Sequence, residues 1–198
     1  MRIDLIRHGA CEDDVFLRGR TDSPLSLEGE NQMRQALIGL PEPCQIITSP
    51  ASRCRFFAEQ HFKHVSVRQA LAERDFGSWD GLSLDEIRAH YPKQLEAYFA
   101  DPFADDIIPY GENLPLFEAR VVQEWDRLCR SECDHLLIFS HSGVQRMVLK
   151  RILKMQNEAL FNLKIGYAAR LTFEVTRVDE ACFTHLVEMR QNEHAGVA

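Results

Sequence analysis

Two segments of the chain, "DLIRHG" and "LLIFSHSG", run from an apolar stretch into a histidine followed closely by glycine: Arg7-His8-Gly9 and His141-Ser142-Gly143. A third, "IITSPASRCR", follows the apolar pair Ile46-Ile47 with Arg53 and Arg55. Arginine presents a planar fork that grips phosphate oxygens bidentately and keeps its charge at any relevant pH. A neutral imidazole nitrogen is a competent nucleophile. Two histidines and at least two guanidinium groups in one pocket would suit phosphoryl transfer, which depends mostly on positioning and on neutralising the equatorial oxygens. Expelling the leaving oxygen also needs an acid, and Glu73 in "LAERDFG" is the best candidate.

Such groups must be brought together by the elements that carry them. All three segments read as strand, turn and helix, and in an open α/β sheet ligands bind at the carboxyl ends of the strands. His8, His141 and Arg53 are therefore predicted to share one edge, where the N-termini of the following helices add backbone N–H groups and positive dipole ends. A first strand over 3–6 leads, through a charged loop, to a helix over about 26–40 with Met33, Ala36, Leu37 and Leu40 on one face, closed by Pro41 and Pro43. Ser49 reads as an N-cap with Pro50 at the first helical position. Val65–Val67 reads as a strand, and Ser83 with Glu86 has capping-box spacing for a helix that Pro92 stops. An irregular stretch over 100–114 precedes a helix over about 115–131, and the chain closes on two strand-like stretches that suit an edge hairpin. Alternating strand and helix predicts an α/β fold, a three-layer α/β/α sandwich with a mainly parallel sheet. One domain over 1–198 is expected, with an excursion or lid around 78–118.

Composition narrows the rest. The 198 residues carry a net charge of -7, which argues against general nucleic-acid binding but leaves room for a local anion pocket. No apolar stretch is long enough to span a membrane and no leader precedes the first strand, so a cytoplasmic location is expected. Cys11, Cys44, Cys54, Cys129, Cys133 and Cys182 show no C-x-x-C pair or zinc spacing and read as six reduced thiols. Cys11 lies near the site, but no cysteine has the arginine six positions later that a cysteine phosphatase needs. Nucleotide P-loop, G-x-S-x-G and H-E-x-x-H patterns are absent, and neither metal nor cofactor is expected. Arg55 suits a surface ion pair, Arg20 in "RGRTD" either walls the pocket or simply turns, and Trp79 packs under its loop. A homodimer stays open.

In order along nearly the whole chain, "LIRHG", "GRTDSPLSLEG", "TSPASRCRFFAE", "LAERDFGSWDG", "PYGENLPLFEARV" and "IFSHSGV" resemble the histidine phosphatase, or phosphoglycerate mutase-like, superfamily. The resemblance implies that His8 is phosphorylated during the reaction and that Arg7, Arg53 and His141 hold the phosphoryl group. It also implies that Glu73 donates a proton and later activates water. Arg20 and Ser142 are expected as further substrate contacts on their position alone. Departures are Ala10-Cys11 where Glu-Thr is common, Asp14 where Asn is frequent, Ser142 in place of glycine, and Asn113 closing a Gly-Glu-Ser segment. Asp14 would repel a phosphate. The length and overall pattern look most like the small bacterial phosphatases of cobalamin nucleotide-loop assembly, which implies α-ribazole 5'-phosphate as substrate. Broad-specificity sugar-phosphate phosphatases, fructose-2,6-bisphosphatase-like enzymes, phosphoglycerate mutases and a silent phospho-ligand binder are the alternatives.

Overall fold

The computed structural model describes residues 1–13, 15–104 and 107–191. β1 (Arg2–Arg7), β2 (Gln45–Thr48), β3 (Val65–Val67) and β4 (His135–Ser140) pair in parallel, and β5 (Arg170–Val178) with β6 (Ala181–Arg190) adds an antiparallel hairpin beside β1. The strand order is β3-β2-β4-β1-β5-β6. The two histidine-ending strands, β1 and β4, are therefore direct neighbours, in register from Arg2↔His135 to Arg7↔Ser140. β4 is buried along its whole length, as a strand covered on both faces must be.

Side chains alternate between the two faces of the sheet. Ile3, Leu5, Leu136 and Ile138 pack against α5 (Leu114–Leu128) and α6 (Ser142–Leu153), while Ile6, Leu137 and Phe139 meet α1 (Leu27–Leu37) and α2 (Ser52–His61). This is the expected three-layer sandwich. Each fully buried Ile or Leu contributes about 2 kcal/mol, so the two apolar layers fix the strand tips firmly. A third, smaller cluster of Trp79, Ile87, Leu95 and Ile108 sits under the segment carrying α3 (Leu84–His90) and α4 (Pro92–Ala100). Trp79 is fully buried there, packing as expected.

Several local expectations need correction. α1 stops at Leu37, ahead of the prolines, because Ile38 turns extended and Gly39 takes a left-handed conformation at φ 79°. Ser83 and Glu86 form the capping box, but Pro92 also opens α4 at its first position, so one proline ends a helix and starts another. Ser49 is not the N-cap of α2; Ala51 is, and Ser49 Oγ is held instead by His141. Nor are all six cysteines reduced. Cys44 and Cys133 form a disulfide with Cα atoms 6.2 Å apart, because the pairing of β2 with β4 brings the residues just before each strand side by side. Their separation of 89 positions gives no sign of this in the sequence. Among the described residues no helix is long and apolar enough to cross a membrane.

Candidate active site

Adjacent strands that end in histidine deliver two imidazoles to one point. His8 donates its backbone N–H to the Ser140 carbonyl at 2.9 Å, locking the end of β1 to the end of β4. The two rings lie 5.3 Å apart, nearly edge to face, with His8 4% and His141 0% exposed. His8 Nδ1 sits 2.7 Å from the Gly9 carbonyl, so Nδ1 carries the proton and the Nε2 lone pair is free. His141 Nε2 lies 2.6 Å from Ser49 Oγ. With the hydroxyl donating, His141 carries its proton on Nδ1, which is buried without an acceptor among the described residues. Burial, followed by the charges of Arg53 and Arg7, pushes the His8 pKa well below the usual imidazole value. For His141 burial again leads, then Arg53, His8 and Arg7, in the same direction. Both rings are neutral near pH 7.

The arginines surround this pair. Arg7 donates from Nη1 to the Ile165 carbonyl at 2.7 Å, and its guanidinium stacks 4.2 Å above the Tyr167 ring. Arg53, 1% exposed, has Nη1 on the Thr21 carbonyl at 2.8 Å and Nη2 on the Gly19 carbonyl at 3.0 Å. Among the described residues the Nε atoms of Arg7 and Arg53 are buried without a partner, as is His141 Nδ1. Buried N–H donors are nearly always satisfied in folded proteins. A phosphoryl group offers the oxygens that three such donors can share.

Glu73 faces the site from the loop after β3. Its Oε2 accepts the Gly143 N–H at 2.9 Å and its Oε1 the Arg74 N–H at 3.0 Å. The loop is clamped from behind by Arg120, which donates to the carbonyls of Ala70 at 2.9 Å, Ala72 at 2.8 Å and Glu73 at 3.0 Å while paired with Glu112. Gly143 is fitted to Glu73: a Cβ there would overlap Glu73 Oε1 and push the carboxylate out of place. Gly9 is tied down in the same way: a Cβ would strike the Gly29 backbone in α1, so close packing demands this glycine. The expectation that helix N-termini offer free N–H groups is corrected at two of them. Gly143 N–H is taken by Glu73, and Ser52 N–H in α2 by Asp22 at 2.7 Å.

Of the other expected residues, Ser142 opens α6 and, with Glu73 and Gly143, lines a cavity of about 180 Å³. Arg20 is not drawn into the histidine cluster; it is exposed and pairs with Asp75 at 3.5 Å. Arg18 lies closer, its charge acting on His8 while its side chain bonds Asp13 and Ser23. Arg55 makes the expected surface pair, with Glu59 at 2.7 Å. Cys11 Sγ is 3.9 Å from His8 Nδ1, and burial raises its pKa, so its thiol stays protonated. Asp14 lies outside the described residues. Sequence reasoning missed Ser49, Arg120, Gly143 and Tyr167. Only Gly143 carried a signal, as the glycine of "HSG".

A fold of parallel strands with paired histidines at their tips is matched by known families. The model of the histidine phosphatase superfamily (branch 1) matches residues 3–185, and the chain belongs to that superfamily; it is a hydrolase of phosphoric monoesters. Among curated relatives, the adenosylcobalamin/alpha-ribazole phosphatase of Salmonella typhimurium is 27% identical over 174 residues, covering 83% of this chain and 86% of the relative. The structure of the alpha-ribazole phosphatase from Shigella flexneri superposes with a TM-score of 0.82 at 22% identity over 100% of both chains. A mycobacterial glucosyl-3-phosphoglycerate phosphatase gives 0.76 at 23% identity, over 93% of this chain and 96% of that one. These structures share the phosphoglycerate mutase-like fold.

Proposed function

We propose that the chain hydrolyses its phosphate ester in two steps through a phosphohistidine at His8. The observation that carries this is the neutral His8 ring, with Nδ1 tied to Gly9 and three unpartnered donors around it. In the first step His8 Nε2 attacks phosphorus while Arg7, Arg53 and His141 Nδ1–H hold the equatorial oxygens. The P–O bond breaks, and a proton passes from the Glu73 carboxyl to the departing alkoxide. In the second step Glu73 takes a proton from water, the water oxygen attacks phosphorus, and the P–N bond breaks to release phosphate and neutral His8. Ser142 contacts the substrate beside Glu73, and Arg20 does so only by giving up its pair with Asp75. The segment 78–118 acts as the lid of one domain, contributing Tyr98, Phe103 and Phe117 to the cavity wall.

The substrate we infer is α-ribazole 5'-phosphate, as part of cobalamin assembly, supported by the similarity to adenosylcobalamin/alpha-ribazole phosphatases along most of the chain. A phosphate-release screen tests this against phosphoglycerates, sugar phosphates and nucleotides, with and without EDTA. The highest kcat/KM is expected on α-ribazole 5'-phosphate, with EDTA making no difference. Faster isomerisation than hydrolysis of a phosphoglycerate would assign a mutase instead. The same reading puts the enzyme in the cytoplasm, as a monomer or homodimer; thiol titration of protein purified under native conditions, showing whether Cys44 and Cys133 are bridged, bears on the compartment.

A further inference from the structure

Arg53 is the most deeply buried cation of the site, and among the described residues no carboxylate pairs directly with its guanidinium. A buried charge is costly unless something compensates it. Backbone carbonyls take three of its five N–H donors: Thr21 at 2.8 Å on Nη1, with Arg18 at 3.2 Å and Gly19 at 3.0 Å on Nη2. The peptide groups behind two of these carbonyls are bonded at their other end as well. The one joining Arg18 to Gly19 donates its N–H to Asp80 Oδ1 at 3.2 Å, and the one joining Gly19 to Arg20 donates its N–H to Asp80 Oδ2 at 2.6 Å. Each peptide dipole thus lies between a cation at its oxygen and a carboxylate at its N–H, an arrangement in which linked hydrogen bonds strengthen one another. Thr21 N–H adds a bond to Oδ1 at 2.8 Å, and Asp80 itself follows the fully buried Trp79, which roots it in the third apolar cluster. Burial acts to raise the Asp80 pKa, but the Thr21 side chain and the N–H groups of Arg20, Thr21 and Phe76 outweigh it, so the carboxylate is ionised near pH 7.

From this we infer that Asp80 is a positioning residue for the reaction: acting through two peptide groups, it serves as the counter-ion of Arg53 and fixes the guanidinium with Nε toward the phosphoryl group. The role presupposes that Arg53 holds the phosphoryl oxygens, but it depends on no one ester. A carboxylate bonded directly to Arg53 would occupy the donors that those oxygens need and would repel them at close range. Held two peptide groups away, the same charge steadies the guanidinium and leaves Nε open. The coupling runs both ways. A phosphate on Arg53 tightens the loop at 18–20, and the carboxylate that holds that loop tightens the phosphate.

The test is a double-mutant cycle of Asp80→Asn with Arg53→Ala, read by titration of inorganic phosphate and by KM and kcat on the best ester of the screen. Asp80→Asn alone should weaken phosphate binding and raise KM about tenfold, with a smaller fall in kcat. In the Arg53→Ala background the same substitution should change each value by no more than about twofold. Hydrogen exchange in the wild type needs no variant: saturating inorganic phosphate should slow exchange of the Gly19 and Arg20 amides about tenfold. Equal losses from Asp80→Asn in both backgrounds would make Asp80 a general support of the fold and overturn the inference, leaving the phosphatase intact. Exchange at Gly19 and Arg20 that ignores bound phosphate would overturn it as well. Phosphate binding that answers to Asp80 only through Arg53, in a protein that hydrolyses no ester, would sustain the inferred coupling and sink the phosphatase reading.

Discussion

Strand β4 begins with one buried histidine and runs into another. At its start, His135 Nε2 lies 2.7 Å from Asp4 Oδ2, and the same carboxylate bonds Thr172 at 2.6 Å and Arg2 at 2.6 Å. At its end, His141 faces His8, Arg7 and Arg53, and among the described residues no carboxylate bonds its ring and Nδ1 has no partner. Two histidines on one strand thus have opposite settings. The Asp4 carboxylate takes bonds from three side chains and so pins β1, β4 and β5 together, although His135 Nδ1 is itself buried without a partner among the described residues. The His8–His141 end carries positive groups and unpaired donors that only an anion completes. Burial alone does not make a histidine functional; a carboxylate partner makes His135 structural, whereas the guanidinium groups of Arg7 and Arg53 around His141 and His8 call for an anion.

The contrast can be broken at either end. The largest effect is expected from His8→Ala, which should lower kcat on the best ester at least ~10⁴-fold with the thermal transition little changed. Glu73→Gln should cost about 10²- to 10³-fold on an alkyl phosphate and far less on p-nitrophenyl phosphate, whose leaving group needs no proton. A rate loss equal on both esters would remove Glu73 from the acid role. Gly143→Ala, by displacing Glu73, should lower kcat about tenfold or more, again mainly on alkyl esters.

At the other end of β4, Asp4→Asn should leave kcat nearly unchanged and reduce unfolding stability by about 3 kcal/mol in urea, because it removes the charge that His135 and Arg2 bond. The pH profiles of the ends should also differ in position. The Asp4 pKa falls to about 2 from 3.8 through its bonds to His135, Arg2 and Thr172, which outweigh burial. Its contribution, about 2 kcal/mol, is complete above pH 4 and is lost as pH falls through 2. His8 and His141 have folded values below 6.5, so the unfolded chain takes up protons first and stability declines as pH drops below 6.5. His141→Asn should flatten that upper slope, while Asp4→Asn should flatten only the lower one. Activity, in turn, should persist below pH 6 because His8 stays neutral.

What was legible in the sequence follows from what a strand announces locally. An apolar run ending in His-Gly marks a strand tip, and two such runs separated by helices imply one ligand edge; hence His8, His141 and Arg53 and the layered fold were readable. Contacts set by strand order were not. Ser49 meets His141 across 92 positions and Arg120 clamps Glu73 across 47, and both depend on which strands become neighbours. The Cys44–Cys133 bridge is hidden for the same reason. α4 gives no separate signal because Pro92 serves as both stop and start, and Ser49 does not cap α2 because its hydroxyl has a tertiary partner in His141.

The most direct test is to trap the intermediate: mix enzyme with ³²P-labelled ester, quench in alkali within a turnover, digest, and map the label by mass spectrometry. The expected result is one base-stable, acid-labile phosphoryl group on His8, absent from His8→Ala and accumulating in Glu73→Gln when an activated ester is used. Label on Cys11 or another residue, or phosphate released at full rate by His8→Ala, would contradict the mechanism.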